Sequence, residues 1–127
     1  MSILTAANAS RAIGFGRIAF GAALLAVPAK VGESWLGESG TSPGAQVALR
    51  GLGIRDAVIG MAQVHTAGDP ERGHRWARTS AFGDITDLIS TVAASRDLPR
   101  SGVYGTAALA GVAAVASLVV SQLMQAD

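Results

Sequence analysis

The chain has 127 residues and a formal net charge of +1; half of its residues are hydrophobic and only 15% are charged. One small domain fits this length, and the near-neutral charge without any basic stripe argues against a nucleic-acid partner. Cysteine is absent, which excludes disulfides, thiol-attached haem and cysteine-ligated metal sites. The mean hydropathy is positive, which is high for a water-soluble domain of this size and indicates a membrane protein.

Four apolar segments separated by short loops predict four transmembrane helices, over residues 10–28, 44–65, 76–95 and 101–124. The fourth segment includes 23 successive residues without a charge. At about 1.5 Å per residue, such a helix can cross a hydrocarbon core of about 30 Å. All four prolines fall at segment edges, where helix breakers belong.

The loops between these segments predict the architecture. The loop of residues 29–43 is expected to hold a short interfacial turn anchored by Trp35. Short loops make neighbouring helices run antiparallel. We therefore predict an all-α fold, a four-helix transmembrane bundle that forms a single domain over residues 1–127.

Six charged residues lie inside the apolar segments: Arg17, Arg50, Arg55, Asp56, Asp84 and Asp87. Unpaired at the bilayer centre, six charges would cost roughly 15–20 kcal/mol, so they are predicted to face inward and neutralise one another. Depth along the helices pairs Arg17 with Asp84, and either Arg50 or Arg55 with Asp87. Asp56 is expected to join one of these groups, and Arg50 has snorkelling to the membrane surface as an alternative.

The first two segments share a glycine pattern. Gly14-x-x-Arg17-x-x-x-Gly21 in the first matches Gly53-x-x-Asp56-x-x-x-Gly60 in the second. In each, two glycines two helical turns apart flank a charge on the same stripe. Small residues let helix backbones approach closely in lipid, so these glycines are predicted to be helix-packing positions and the charges to point at a neighbouring helix.

Catalytic and metal-binding motifs are weak. His65, His74 and the separate Asp69 do not give three or four ligands at a recognisable spacing. Nucleophile motifs, a phosphate-binding loop and a dinucleotide fingerprint are missing from the sequence. We therefore expect no metal, no cofactor and no enzymatic activity.

Residues 49–56 (LRGLGIRD), following residues 14–17 (GFGR), resemble a group of small actinobacterial four-helix membrane proteins of largely unknown function. The length and the number of apolar segments are also similar to those of small mycobacterial membrane proteins that serve as accessory subunits of cell-envelope complexes, including the Mce lipid importers. Small multidrug carriers are similar in size, but their essential carboxylate lies in the first helix, where this chain has Arg17. Dimeric fluoride channels share the size, yet their pore asparagine has no counterpart beyond Asn8.

The charged cluster therefore leaves three roles open: structure or assembly, transport, and catalysis. The prediction is a non-enzymatic accessory subunit of a larger cell-envelope complex, such as an Mce-type lipid import system, in the plasma membrane. Its expected partners are other integral membrane subunits, such as a lipid transporter permease, and membrane lipid. The alternative is a small homo-oligomeric proton- or ion-coupled transporter that uses the Asp cluster, whereas an enzyme would need a cavity opening onto those carboxylates. Basic residues near the helix ends favour cytoplasmic termini.

Overall fold

The structure is a computed structural model that describes residues 3–126, and within that range it is all-helical, without a strand. The α-helices are α1 (Ile3–Ala26), α2 (Pro28–Leu36), α3 (Pro43–Thr66), α4 (Gly73–Ala93) and α5 (Arg100–Gln125). Two 3₁₀ turns, Gly37–Thr41 and Ser95–Asp97, precede α3 and α5. The all-α prediction is confirmed, and α1, α3, α4 and α5 correspond to the four predicted segments.

Helix α2 corrects the prediction of four helices, since it occupies residues expected to form a loop. Pro28 stands at the start of α2, where its fixed φ favours a helix and its missing N–H costs nothing. Gly37 ends the helix with a φ of 75°, a left-handed conformation that glycine adopts readily. Trp35 holds α2 in place: its Nε1 donates to Thr91 Oγ1 at 3.1 Å, and its ring lies 6.4 Å from that of Phe20.

The four long helices form a bundle in which α1 lies beside α3 and α5, and α4 lies beside the same two helices. The closest pairs are α1 with α3 and α4 with α5. Ala6 of α1 and Met124 of α5 share one buried apolar cluster, so the described chain begins and ends on the same side. We call this side the terminal end, and the opposite side, which carries α2, the α2 end.

The distribution of polarity differs from that of a water-soluble bundle. Leu109, Val47 and Tyr104 are 77%, 73% and 71% exposed. In contrast, the largest fully buried side chains are one apolar and six polar ones: Leu24, Gln63, Asp56, Ser10, Ser80, Ser117 and Ser121. Polar residues are mostly exposed in water-soluble proteins. The described bundle therefore has a mixed interior, with ten buried polar or charged residues beside eleven buried hydrophobic ones, and it exposes many large apolar side chains.

Within residues 3–126, two helices are long and apolar enough to cross a membrane, over Thr5–Ala26 and Arg100–Gln125. Helices α3 and α4 have comparable lengths but carry three and four charged residues. These charges lower the hydropathy of α3 and α4; two of them, Asp56 and Asp84, are buried, and Arg55 and Asp87 are partly buried. Length and composition thus support two of the four predicted spans.

Candidate functional site

The glycines of the shared pattern lie at the contact between α1 and α3. A Cβ added to Gly60 would lie 2.6 Å from the carbonyl oxygen of Gly14, and one added to Gly53 would lie 2.8 Å from that of Gly21. Real Cβ atoms do not approach this closely, so neither position accepts a side chain without movement of a backbone. The predicted packing role of these four glycines agrees with this geometry, and the two helices run antiparallel.

Arg17 lies midway between the two glycine contacts and is almost fully enclosed. Its Nη1 donates to Asp56 Oδ1 at 3.0 Å, and its Nη2 donates to Asp84 Oδ2. Ser80 accepts twice, through Oγ from Nε at 2.9 Å and through its carbonyl oxygen from Nη2 at 3.0 Å. The side chain is only 5% exposed. One guanidinium of α1 thus joins α3 to α4.

Arg55 forms the second, more open half of the network. Its Nη2 donates to Asp56 Oδ1 at 3.0 Å and to Asp87 Oδ2 at 3.1 Å. Its side chain is 34% exposed. Asp56 Oδ1 therefore accepts from both Arg17 and Arg55, which connects the two halves. We refer to Arg17, Arg55, Asp56, Asp84 and Asp87 as the charge network.

The sequence-derived pairs occur in this network, because Arg17 contacts Asp84, Arg55 contacts Asp87, and Asp56 contacts both arginines. Arg50 does not belong to this network, contrary to the prediction that it is one of the buried charges. It is exposed and forms no ion pair with any residue of the described range. Arg50 precedes Arg55 by five residues, which turns it about 140° around α3, away from the carboxylates.

A cavity of about 740 Å³ lies between α1, α2 and α5, and three carboxylates of the charge network line it. These are Asp56, Asp84 and Asp87, with Arg17 beside them. Most of the remaining lining is apolar or aromatic; it includes Ile13, Phe20, Val31, Trp35, Leu109 and Ala113. This volume is in the usual range for small-molecule sites, about 300–1,000 Å³. The cavity therefore has largely apolar walls and one charged region, formed by the three carboxylates and Arg17, which we call its floor.

The rim of this cavity at the α2 end is polar. Lys30 and Ser34 of α2 and Ser101 of α5 line it there. The sequence analysis missed Lys30 and the pairing of Phe20 with Trp35, because each depends on contacts between distant segments. Helical periodicity places Ser80 on the face of α4 that carries Asp84, one turn earlier, but does not predict its hydrogen bonds to Arg17.

His74 and the loop residue Asp69 form hydrogen bonds within the protein. His74 Nδ1 lies 3.0 Å from Gln125 Nε2, and the carbonyl oxygen of His74 accepts from Ser121 Oγ at 2.8 Å. Asp69 Oδ1 accepts the backbone N–H groups of Glu71 and Arg72, both at 2.9 Å, and these bonds hold the pKa of Asp69 below its usual range. Among residues 3–126, no group of three or more His, Cys, Asp or Glu side chains could hold a metal.

One condition that an enzyme would need is met, because the cavity opens onto carboxylates. No histidine is among the side chains that line it within the described range. The expectation of a non-enzymatic role stays a prediction.

Comparisons with known proteins return no relative: no protein-family model, no curated protein and no solved structure matches this chain.

Proposed function

We propose that the chain is a multi-pass integral membrane protein in which α1, α3, α4 and α5 cross the bilayer. The distribution of polarity in the bundle supports this, because its exposed aliphatic side chains suit lipid and its buried charged groups, Arg17, Asp56 and Asp84, pair with one another. Four of the seven charges in α3 and α4 are in the charge network, and two of the others, Arg75 and Arg78, lie in the first two turns of α4. Helix α2 lies along the membrane surface at the α2 end.

The proposed location is the plasma membrane, with the terminal end in the cytoplasm. Basic residues near the terminal end are Arg11, Arg72, Arg75 and Arg78. Those near the α2 end, apart from Arg50 within α3, are Lys30, Arg96 and Arg100. The positive-inside rule counts such residues and favours this orientation.

Within this setting, the proposed function is that of a small proton- or ion-coupled transporter. The single observation that carries it is the cavity whose floor consists of three carboxylates. Ionisable groups inside a membrane protein are costly, and where they line a cavity they are characteristic of ion pathways and proton relays. A solute held in the cavity would compete with protons for the same carboxylates, which is the physical basis of coupling. The carboxylates bind and release protons in this scheme, and no covalent step is involved.

A charge-movement experiment tests this proposal without knowledge of the solute. The purified chain is reconstituted in vesicles adsorbed to a solid support, and the transient current after a step in pH is recorded. We expect a current in the wild type, its loss in the Asp84→Asn/Asp87→Asn double variant, and its retention in Arg50→Gln. Absence of current in folded wild-type protein, or an unchanged current in the folded double variant, would overturn the proposal.

A second candidate function is that of a non-enzymatic accessory subunit in an envelope complex, such as an Mce-type lipid importer. The observation that favours it is the outward face of α5, where Tyr104, Val112 and Val115 are all more than half exposed. This face could pack against a permease helix as well as against lipid. Tagging the chain in its native host, extracting it in mild detergent and identifying co-purifying proteins tests this candidate. Stoichiometric recovery of transporter subunits supports it, and recovery of the chain alone contradicts it.

A further inference from the structure

We infer that the cavity binds a lipophilic monovalent cation, with its charge against the carboxylates and its apolar groups against α1 and α5. The inference rests on the proposed function, because it names the class of solute that the same cavity accepts. Three independent features of the cavity carry it: the charge balance of its floor, the placement of two aromatic rings and the composition of its walls.

The charge network holds one more carboxylate than guanidinium groups. Arg17 and Arg55 face three aspartates, so the network has a formal charge of −1 when all its members are ionised. Lys30 lines the same cavity but forms no ion pair with these aspartates, so one carboxylate charge has no directly paired cation, which is unfavourable in a poorly solvated site. A proton or a bound cation removes it, and a cation is attracted more strongly there than in water because the surroundings are less polar.

Two aromatic rings line the same cavity. Phe20 of α1 and Trp35 of α2 have ring centroids 6.4 Å apart, with their planes tilted by 55°. The hydrogen bond from Trp35 Nε1 to Thr91 fixes the orientation of the indole. Aromatic faces attract cations, and tryptophan does so most strongly. Both a charged and a π-electron contribution therefore favour a positive ligand.

The walls suit a ligand with substantial apolar surface. Helix α5 contributes lining residues from Ser101 to Ala113 and no charged one among them. The helical rise from residue 101 to residue 113 is about 18 Å, so the cavity runs along more than three turns of α5. Ile13, Leu109 and Ala110 supply aliphatic contacts. A small hydrated metal ion would leave these walls without a partner, whereas an organic cation covers them.

Lys30 is the opposing charge and makes the inference testable. It lines the cavity at the α2 end, opposite in sign to the floor. A cationic ligand is repelled by Lys30, so removing this ammonium should strengthen its binding. An anionic ligand would use Lys30 as its partner, and the same substitution would weaken its binding. The charged side chains that line the cavity come from α1 to α4: Arg17, Lys30, Asp56, Asp84 and Asp87.

The probe is tetraphenylphosphonium, and tetraphenylborate serves as an anion of nearly the same size and shape. Binding to the full chain in detergent is measured by isothermal titration calorimetry at pH 8, where protons compete least. We expect the wild type to bind the cation and not the anion. Asp87→Asn should raise Kd for the cation about tenfold or more. Trp35→Phe should raise it about two- to fivefold, since phenylalanine attracts a cation less than tryptophan does.

Two further variants complete the experiment. Lys30→Gln should lower Kd for the cation, and Arg50→Gln, which alters an exposed charge outside the cavity, should leave it unchanged. Circular dichroism and gel filtration establish that each variant is folded. Equal binding of cation and anion, no binding of the cation by the wild type, or weaker cation binding in Lys30→Gln would overturn the inference.

The inference and the proposed function fail in different ways. A wild type that moves charge after a pH step but does not distinguish the two probes contradicts the inference alone. A wild type that binds the cation selectively but moves no charge contradicts transport, and identifies the cavity as a binding site.

Discussion

The two arginines of the charge network are held in contrasting ways. Arg17 is almost fully enclosed and donates four hydrogen bonds to Asp56, Ser80 and Asp84, on two other helices. Arg55 is one-third exposed, and its partners are its own neighbour Asp56 and a single residue of α4, Asp87. A buried cation whose hydrogen-bond donors are mostly paired holds the helices that supply its partners in one relative position. A partly exposed ion pair can separate at low cost. The Arg17 half is therefore suited to holding the helices of the bundle together, and the Arg55 half is suited to exchanging protons or a bound cation.

The largest expected effect on stability tests the Arg17 half of the charge network. Arg17→Gln removes a buried guanidinium and leaves Asp84 without its ion pair. Breaking one side of a buried pair typically costs about 3–5 kcal/mol. Reversible unfolding in mixed micelles should show a loss of this order for Arg17→Gln and a clearly smaller one for Arg55→Gln. Equal losses in the two variants would remove the distinction between the halves.

The next largest effect concerns the glycine contact between α1 and α3, which sets the distance between the helices that carry Arg17 and Asp56. Gly53→Ala places a methyl group 2.8 Å from the carbonyl oxygen of Gly21 and should force α1 and α3 apart. Overpacking of this kind costs about 1–3 kcal/mol. Gly51→Ala is the matched control on the same helix, because its Cβ meets nothing within 4 Å. The same unfolding assay should separate these variants, and an equal response of both would contradict the packing role.

A smaller difference is expected between the two carboxylates of α4. Asp84→Asn weakens the partner of the enclosed Arg17, whereas Asp87→Asn weakens only a partly exposed pair. The unfolding free energy should fall by about 1 kcal/mol or less in Asp87→Asn and by more in Asp84→Asn. Charge movement after a pH step should nevertheless decrease in Asp87→Asn. A greater loss of stability in Asp87→Asn than in Asp84→Asn would reverse the assignment of the halves.

The smallest effect lies outside the network, in the loop before α4. The backbone hydrogen bonds to Asp69 lower its pKa in the folded protein. A carboxylate with a lowered pKa stabilises the fold above its ordinary pKa of about 4, and this stabilisation is lost as the pH falls through the folded value. Thermal unfolding from about pH 5 to about pH 2.5 should therefore depend less on pH in Asp69→Asn than in the wild type. An identical pH dependence would show that the hydrogen bonds to Asp69 contribute nothing to stability.

The sequence predicted the parts of this site that follow from helical periodicity. Spacing of seven residues placed Gly14 and Gly21 on one stripe with Arg17, and depth along the helices paired Arg17 with Asp84. Arg50 shows where this reasoning fails, because depth was counted without the angle around the helix. The cavity was not predictable, since it depends on how α2 and α5 stand apart from α1.

Helix α2 was missed for a different reason. Its sequence (PAKVGESWL) contains glycine, serine and a first-position proline, which are as typical of a loop as of a short helix. Tertiary contacts decide between the two. Trp35 contacts Phe20 of α1 and Thr91 of α4, and neither contact has a signature in the local sequence.

The separation of Arg17 from its partners along the chain has a consequence for biogenesis. Ser80 and Asp84 follow Arg17 by 63 and 67 residues. At about 5–20 residues per second, the ribosome takes roughly 3–13 s to add 67 residues. If α1 enters the bilayer first, its arginine has no counter-ion until Asp56 emerges 39 residues later, and its hydrogen bonds to Ser80 and Asp84 cannot form until α4 emerges. We expect α1 to wait at the insertion machinery, or with its arginine drawn toward the headgroups, until α4 emerges and the four helices can enter as one unit.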